Sequence, residues 1–293
     1  MKRTFSLIII FAAAAALATM GHTFSAGPGP LHAYVDAAAY AAHALPATPA
    51  AEPQRQANEF RLREPLAAGR SLQVRGINGN VSAEPSAGGE FEVVAVRRAR
   101  RSDPEEVRIE VVRHAEGVLI CAVYPNPGGE PNTCELNNSR SHVRDNDTAV
   151  NFTVRVPAGV NFQGHTVNGN VEAERLTADV DAKTVNGNVN VSTTGLARAA
   201  TVNGSITAVL GNADWPSGLE FKTVNGSIDL TLPAGLNARV EAKTLNGEIT
   251  SDFPMTVTGA FSRRRLSGTI GSGGDRQLTL ETVNGSVRIR RAS

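Results

Sequence analysis

The sequence predicts an all-β protein: a parallel β-helix or β-solenoid of about seven coils with an N-terminal β-rich capping region. Three observations lead there. A short motif centred on Asn-Gly returns eight times, its later copies lie 17 to 22 residues apart, and aromatic residues make up only 5% of a chain rich in Val, Ile, Leu and Ala. Repeats of this period are typical of solenoids, because one unit buries its apolar face only by stacking on its neighbours.

The motif is an apolar residue, then Asn-Gly, usually a small polar residue, then Val or Ile. Its full copies are Asn78-Gly79, Asn168-Gly169, Asn186-Gly187, Asn203-Gly204, Asn225-Gly226, Asn246-Gly247 and Asn284-Gly285. A degenerate eighth copy carries Ser267 in place of Asn, within the run Leu266–Ile270. These residues are predicted structural repeat positions.

Asn-Gly between strand-like residues is also a strong hairpin signal. In a two-residue hairpin Val202 would face Ser205 and Thr201 would face Ile206, so neither face would be apolar. If the chain instead bends and continues, the residues at −1, +1 and +3 from Asn share one side. We therefore predict a solenoid corner with Val202 and Gly204 inward, where Val202→Asp would bury an unpaired charge, and with asparagines stacked in a hydrogen-bonded ladder. A hairpin meander or propeller is the alternative.

Four segments follow along the chain. Residues 1–26 resemble a secretory signal peptide, with a basic start and an apolar run too short to span a bilayer comfortably. Residues 27–59 are rich in Ala and Pro and predict a disordered linker. Residues 60–159 predict an N-terminal β-strand region with a disulfide loop, which would cover one end of the stack, and residues 160–293 predict the β-solenoid repeats.

Charge excludes some partners. The chain has 29 Lys and Arg against 28 Asp and Glu, and loss of Lys2 and Arg3 with the signal peptide would leave a net charge of about −1. A protein with so small a net charge has no overall electrostatic field that would attract nucleic acid or a membrane surface. We expect an exported protein of the periplasm or the cell surface and extracellular space, with no integral membrane segment after cleavage, no nucleic-acid partner and no cofactor.

The two cysteines, Cys121 and Cys134, predict a disulfide, as an even pair usually does in an exported protein. The loop between them is rich in Pro and Gly, and a cross-link would constrain it. His114 and His142 bracket the pair, so a Cys2His2 metal site is the alternative. No Cys-x-x-Cys knuckle supports that alternative, and we predict no metal.

The runs that start at Thr166, Lys183 and Lys222, each containing Thr-Val-Asn-Gly, resemble a family of exported bacterial β-strand-repeat domains called "putative adhesins", a domain of unknown function. The segment Val154–Val160 is similar to the strand that leads into the repeats of that family. The resemblance covers roughly residues 70–293 and implies the solenoid fold. It carries over no catalytic residues.

Catalytic chemistry finds little support in the sequence, and we predict no catalytic residue. Parallel β-helix enzymes cluster carboxylates on one face of adjacent coils. The acidic residues here stand at unlike offsets from Asn-Gly: Glu172, Glu174, Asp179, Asp181, Asp229, Glu241, Glu248 and Asp252. Arg263, Arg264 and Arg265 are candidate contacts for an anionic envelope polymer. The alternative is that such charges protect exposed strand edges from aggregation.

The leading functional hypothesis is therefore a non-enzymatic, exported cell-envelope β-solenoid, with an adhesin-like binding or structural role. Its partner would be an envelope or surface polymer or a protein. A second hypothesis is a periplasmic partner in envelope-stress sensing, suggested by the flexible tether. A third is a polysaccharide-active β-helix enzyme.

Overall fold

The computed structural model describes residues 54–56, 58–137, 140–215, 218–257 and 262–292. The expected signal peptide, residues 1–26, lies outside the described residues, and so does most of the expected linker, residues 27–59. Within that linker, however, residues 54–56 and 59 already belong to strands. Regular structure therefore starts before residue 60.

The described residues form strands and one short 3-10 helix, Pro104–Glu106. The strands are β1 Gln54–Gln56, β2 Glu59–Pro65, β3 Ser71–Arg75, β4 Val81–Pro85, β5 Glu90–Arg98, β6 Arg108–His114, β7 Gly117–Val123, β8 Ala149–Val156, β9 Asn161–His165, β10 Val171–Leu176, β11 Val180–Lys183, β12 Val189–Thr193, β13 Ala197–Ala200, β14 Ile206–Leu210, β15 Leu219–Lys222, β16 Ile228–Leu232, β17 Ala238–Lys243, β18 Ile249–Ser251, β19 Met255–Val257, β20 Arg265–Ile270, β21 Gln277–Glu281 and β22 Val287–Arg291. No helix among the described residues has the length and apolar character to cross a membrane.

These strands form two sheets of eleven strands each in the described part of the chain. One runs β1-β2-β5-β8-β4-β10-β12-β14-β16-β22-β18, and the other runs β19-β20-β17-β21-β15-β13-β11-β9-β3-β7-β6. The chain passes from one sheet to the other at each Asn-Gly, and the asparagines pair with one another in parallel, as in Asn168 with Asn186 and Asn186 with Asn203. A hairpin tip would make antiparallel pairs, so the solenoid-like prediction is confirmed and the hairpin alternative is wrong.

One apolar core fills the space between the two sheets. In β12 the buried residues are Val189 and Val191, and in β14 they are Ile206, Ala208 and Leu210. The alternation of buried and outward residues is the period-2 pattern of a strand with one buried face. Small aliphatic side chains therefore suffice to fill this thin interior.

The corner differs from its prediction at one position. The Thr at −2 from Asn is buried in every copy that has one. The residue at −1 is exposed in four copies and half-buried, not buried, in the other three, among them Val202. The Thr201 hydroxyl donates to the Gly187 carbonyl of the preceding coil at 2.9 Å, so the interior accepts this polar group because its hydrogen bond is satisfied. Val202 is accordingly not an inward residue, and Val202→Asp does not place a charge in the core.

The order of coils in space also differs from the order in the chain. Asn284 lies between Asn225 and Asn246, and β21 and β22 pair with β15 and β16 on one side and with β17 and β18 on the other. The last coil is thus inserted one position before the end of the stack.

Two further expectations about the repeats need correction. The degenerate copy around Ser267 is not a corner, because Ser267 lies within β20, which pairs antiparallel with β17. The first copy, at Asn78, belongs to the parallel stack and not only to the capping region, because β3 pairs in parallel with β9 and β4 with β10. Residues 60–159 therefore supply both antiparallel strands and a coil of the stack.

Candidate functional site

The asparagine ladder is the most regular feature of the surface. It consists, in spatial order, of Asn78, Asn168, Asn186, Asn203, Asn225, Asn284 and Asn246. Each later member donates from its side-chain nitrogen to the side-chain oxygen of the one before it, for example from Asn186 to Asn168 at 2.8 Å and from Asn203 to Asn186 at 2.8 Å. The predicted ladder is therefore present, and each amide in its middle keeps one N–H for a group outside the protein.

Glycine at +1 is required by close packing of one coil on the next. A Cβ added at Gly204 would overlap the carbonyl oxygen of Gly187, and one at Gly226 would overlap that of Gly204. Because these obstacles are backbone atoms, no side-chain movement relieves them. The Asn-Gly pairs are thus explained by the stacking of coils: Asn forms the ladder, and Gly allows the backbones to approach.

Beside the ladder runs a second column, which we call the aliphatic column: Ile77, Val167, Val185, Val202, Val224, Val283 and Leu245. Successive members are adjacent through the backbone, since the nitrogen of Val185 donates to the oxygen of Val167 at 3.2 Å. The exposed fraction is 38% for Val185, 37% for Val283 and 59% for Leu245, whereas Ile77, Val202 and Val224 are half-buried. Four of the six exposed large hydrophobic residues in the described chain belong to this column.

The corner surface carries little free charge. On the far side of the ladder, Asn188 and Ser205 stand two residues after Asn, and the Asn188 side chain accepts the backbone N–H of Ser205 at 2.8 Å. On the near side, Lys183 lies 2.8 Å from Asp181 and Lys243 lies 2.7 Å from Glu241. The corner is therefore a mainly neutral strip of aliphatic and amide groups, bordered by paired charges.

The predicted arginine contacts lie at the C-terminal end of the stack. Arg263 and Arg264 form the tip of a tight turn, and their carbonyls accept the backbone N–H groups of Ile249 at 3.0 Å and Thr244 at 2.9 Å. The guanidinium of Arg263 is 88% exposed, and Arg265 lies 3.7 Å from Glu241. Their backbone closes the outermost coil, that of Asn246, as expected for the alternative of edge protection. The Arg264 side chain faces solvent, and that of Arg263 lies 3.9 Å from Glu248 at the surface.

The predicted disulfide joins Cys121 and Cys134. It lies outside the main core in a small cluster with Leu119 and Val123. His114 does not complete a metal site with the cysteines, because both sulfur atoms are joined in the disulfide; its Nδ1 accepts the backbone N–H of Glu116 at 3.2 Å. Among the residues that the structure describes, no group of three or more His, Cys, Asp or Glu side chains is placed to hold a metal ion.

Several acidic residues of the solenoid wall face basic partners. Asp229 lies 3.1 Å from Arg290. Burial by itself would raise the pKa of Asp181, but interactions with His165 and Lys183 outweigh burial and hold that pKa below its usual value. The Lys243 ammonium likewise lowers the pKa of Glu241. The carboxyl groups of Asp181 and Glu241 are therefore held ionised, whereas a general acid needs a raised pKa.

Sequence reasoning missed the aliphatic column, because it assigned the −1 residues to the interior. The signal that could have identified it is the Thr at −2 in six of the seven Asn-Gly copies. Two adjacent residues of a strand point to opposite faces, so Thr and Val could not both face inward. The choice between them depends on the carbonyl that receives the Thr hydroxyl.

Comparisons with known proteins bear on the fold. The family model described as Toastrack DUF4097 matches residues 132–290. A structure called a "putative cell adhesion protein" from Clostridium sporogenes is 10% identical, with a TM-score of 0.42 over 82% of this chain and 100% of that one. A "putative adhesin" from Bacteroides fragilis is 12% identical, with a TM-score of 0.33 over 79% of this chain and 97% of that one. No curated protein matches the sequence.

Proposed function

Since this chain belongs to the Toastrack DUF4097 family, we propose that it is a non-enzymatic, exported protein of the cell envelope that binds an extended polymer along its asparagine corner. The binding surface is the aliphatic column together with the asparagine ladder. A signal peptide at residues 1–26 would bring the protein to the periplasm or the cell surface.

The aliphatic column is the observation that carries this proposal. Contiguous exposed apolar groups are uncommon on soluble proteins and often mark interaction sites. At the exposed −1 positions, such as Val185, the core does not require an aliphatic residue, because the interior of the corner is filled by Thr at −2 and Val or Ile at +3, as in Thr184 and Val189. Stacking of neighbouring β-branched side chains contributes to sheet stability, yet polar residues could stand there without loss of burial.

The chemistry of the strip favours a neutral glycan. Adjacent coils repeat at about 4.8 Å, so the strip offers an apolar row and a parallel row of amide N–H groups at constant spacing. The C–H face of a sugar can pack on the Val185 and Val167 side chains while its hydroxyl groups accept hydrogen bonds from Asn186 and Asn168. Few free charges oppose a neutral polymer at this surface.

The absence of an enzymatic role is part of the same proposal. The support is that Asp181, Asp229 and Glu241 are each engaged by basic groups, and a proton-donating carboxyl group with a raised pKa is what polysaccharide hydrolysis would need. Binding without turnover is therefore the expected behaviour.

A glycan array tests both halves of the proposal. The mature protein should retain one class of neutral glycan without releasing reducing ends. The double variant Val167→Asn/Val185→Asn should bind about tenfold more weakly, because two partly buried contacts are lost. Val209→Asn is the matched control, since Val209 is 43% exposed but lies on a sheet face away from the corner.

Two results would contradict the proposal. Equal loss of binding in the corner variant and in the Val209→Asn control would remove the corner from the binding site. Release of reducing sugars by the protein, abolished by Asp181→Asn or Glu241→Gln, would instead support the polysaccharide-active enzyme.

A further inference from the structure

The terminal coil, residues 277–291, does not stand in the stack in its sequence order. Its strands β21 and β22 lie between the coil of Asn225 and the coil of Asn246, which precede it in sequence. Among the described strands, β17 and β18 pair with the rest of the stack only through β21 and β22. The terminal coil is therefore the joint between the C-terminal end and the body of the solenoid.

The terminal coil is joined to its neighbours on both sides by the same Thr and Asn hydrogen bonds that connect the remaining coils. On one side the Thr282 hydroxyl donates to the Gly226 carbonyl at 2.8 Å, and Asn284 donates to Asn225 at 2.7 Å. On the other side the Thr244 hydroxyl donates to the Gly285 carbonyl at 2.8 Å. Withdrawal of this coil would leave two facing strand edges with the same hydrogen-bonding pattern, which we call the acceptor gap.

The terminal coil of the same chain and that of a second copy would fit the acceptor gap equally well. The strands that pair with the terminal coil are β15, β16, β17 and β18, which all precede it in the chain, so the same strands of a second copy offer identical partners. Exchange of an identical element between two protomers preserves all its contacts and changes only the connecting segment. A second copy of this chain is therefore the partner whose chemistry fits the gap best.

The connection to the terminal coil suits such an exchange. It runs from the end of β20 through Gly271, Gly273 and Gly274, whose φ values are +58°, +76° and +93°. Glycine adopts such values without a steric penalty and can also adopt extended ones, so this segment can open without strain. An ion pair at 2.8 Å between Arg276 and Asp214 fastens its far end.

We propose that the terminal coil is an exchangeable element, and that two copies of this protein form a dimer in which each inserts residues 277–291 into the acceptor gap of the other. Each strand of the exchanged segment would pair along both edges with strands of the other copy, much as a peptide strand adds to an open sheet. The proposal is independent of glycan binding, since the asparagine corner stays complete in either state.

Single-cysteine variants of the full-length protein test the exchange. Lys222 and Glu281 are paired neighbours on β15 and β21, and their charged groups lie 3.5 Å apart. Lys222→Cys and Glu281→Cys would be purified separately, mixed, partly unfolded in urea, refolded and oxidised. Exchange predicts a covalent heterodimer whose cross-linked peptide joins positions 222 and 281.

The control mixture is Lys183→Cys with Glu281→Cys, because Lys183 lies on the same outer face but pairs with Ala200 instead. A heterodimer no more abundant than in this control would overturn the proposal. A second measurement uses Lys222→Cys/Glu281→Cys in one chain. In an exchanged dimer these cysteines would join two copies, so the monomer fraction is isolated by size exclusion before it is oxidised. The bond within the chain should then prevent dimer formation after the same urea treatment, and reduction should restore it. A dimer that forms from the oxidised monomer would also overturn the proposal.

Discussion

The two ends of this solenoid are closed in different ways. At the N-terminal end, β5 pairs antiparallel with both β2 and β8 over seven residue pairs each, and β6 pairs with β7 over seven. At the C-terminal end the corresponding antiparallel pair, β17 with β20, has six residue pairs, and the outermost strands, β18 and β19, have three residues each, as β1 has at the other end. Leu245 and Val257 are exposed there.

The difference teaches how the order of the chain affects stability. The N-terminal strand pairs are long, and the β6–β7 pair is a local hairpin reinforced nearby by the disulfide. The C-terminal end of the stack is joined to the other coils through β21 and β22, which follow it in the sequence. Long-range pairing of this kind closes large loops. We therefore expect the C-terminal end to open first under mild denaturation.

The largest effect should come from Leu280→Asp, because Leu280 is fully buried in β21. An unpaired buried charge should cost about 3–5 kcal/mol and release the C-terminal end before the N-terminal one. Limited proteolysis should then cut after residue 232 while residues 59–230 stay protected. Gln277→Asp, at an exposed position of the same strand, is the control, and identical digestion of the two variants would refute the importance of this coil.

Removal of the disulfide should destabilise the N-terminal end of the solenoid. Cys121 and Cys134 are 13 residues apart, and the loop that they close should contribute about 3 kcal/mol. Urea unfolding of Cys121→Ser/Cys134→Ser should show a lower midpoint, and hydrogen exchange should rise in β6 and β7. Increased exchange in β18 and β22 instead would show that the two ends are not independent.

A smaller effect is expected in the regular coils that separate the ends. Thr201→Val removes the hydroxyl that bonds the Gly187 carbonyl and keeps the side-chain shape, so it should cost about 1–2 kcal/mol. Thr207→Val, at an exposed position of β14, should change stability much less. Chemical denaturation of both variants measures the difference, and equal midpoints would argue against the inward role of Thr.

The last effect concerns acid. Hydrogen bonds from the backbone and hydroxyl of Ser102 lower the pKa of Asp147 from its ordinary value to about 2. Since the folded-state pKa is lower than the unfolded one, this carboxylate stabilises the N-terminal loops above about pH 4 and loses that contribution as the pH falls towards about 2. The melting temperature of Asp147→Asn should therefore vary less with pH in this window than that of the parent, and parallel profiles would contradict the assignment.

The amino-acid sequence alone determined the all-β solenoid class, the family resemblance, the disulfide and the asparagine ladder. The reason is that these depend on a pattern repeated in every coil: Asn that bonds its equivalent, Gly where backbone atoms of the next coil leave no room, and Val or Ile at +3 in the core. A local error at one copy is corrected by the agreement of the others.

Two features could be determined only from the tertiary structure: which residue of the corner faces inward, and where the terminal coil lies in the stack. Whether Thr or Val of the pair at −2 and −1 faces inward depends on a carbonyl of the neighbouring coil, such as that of Gly187 for Thr201, and no local pattern contains that partner. The place of the terminal coil is equally invisible in the sequence, because all copies carry the same contacts and would fit any gap. Only the assembled stack shows that Asn284 stands before Asn246.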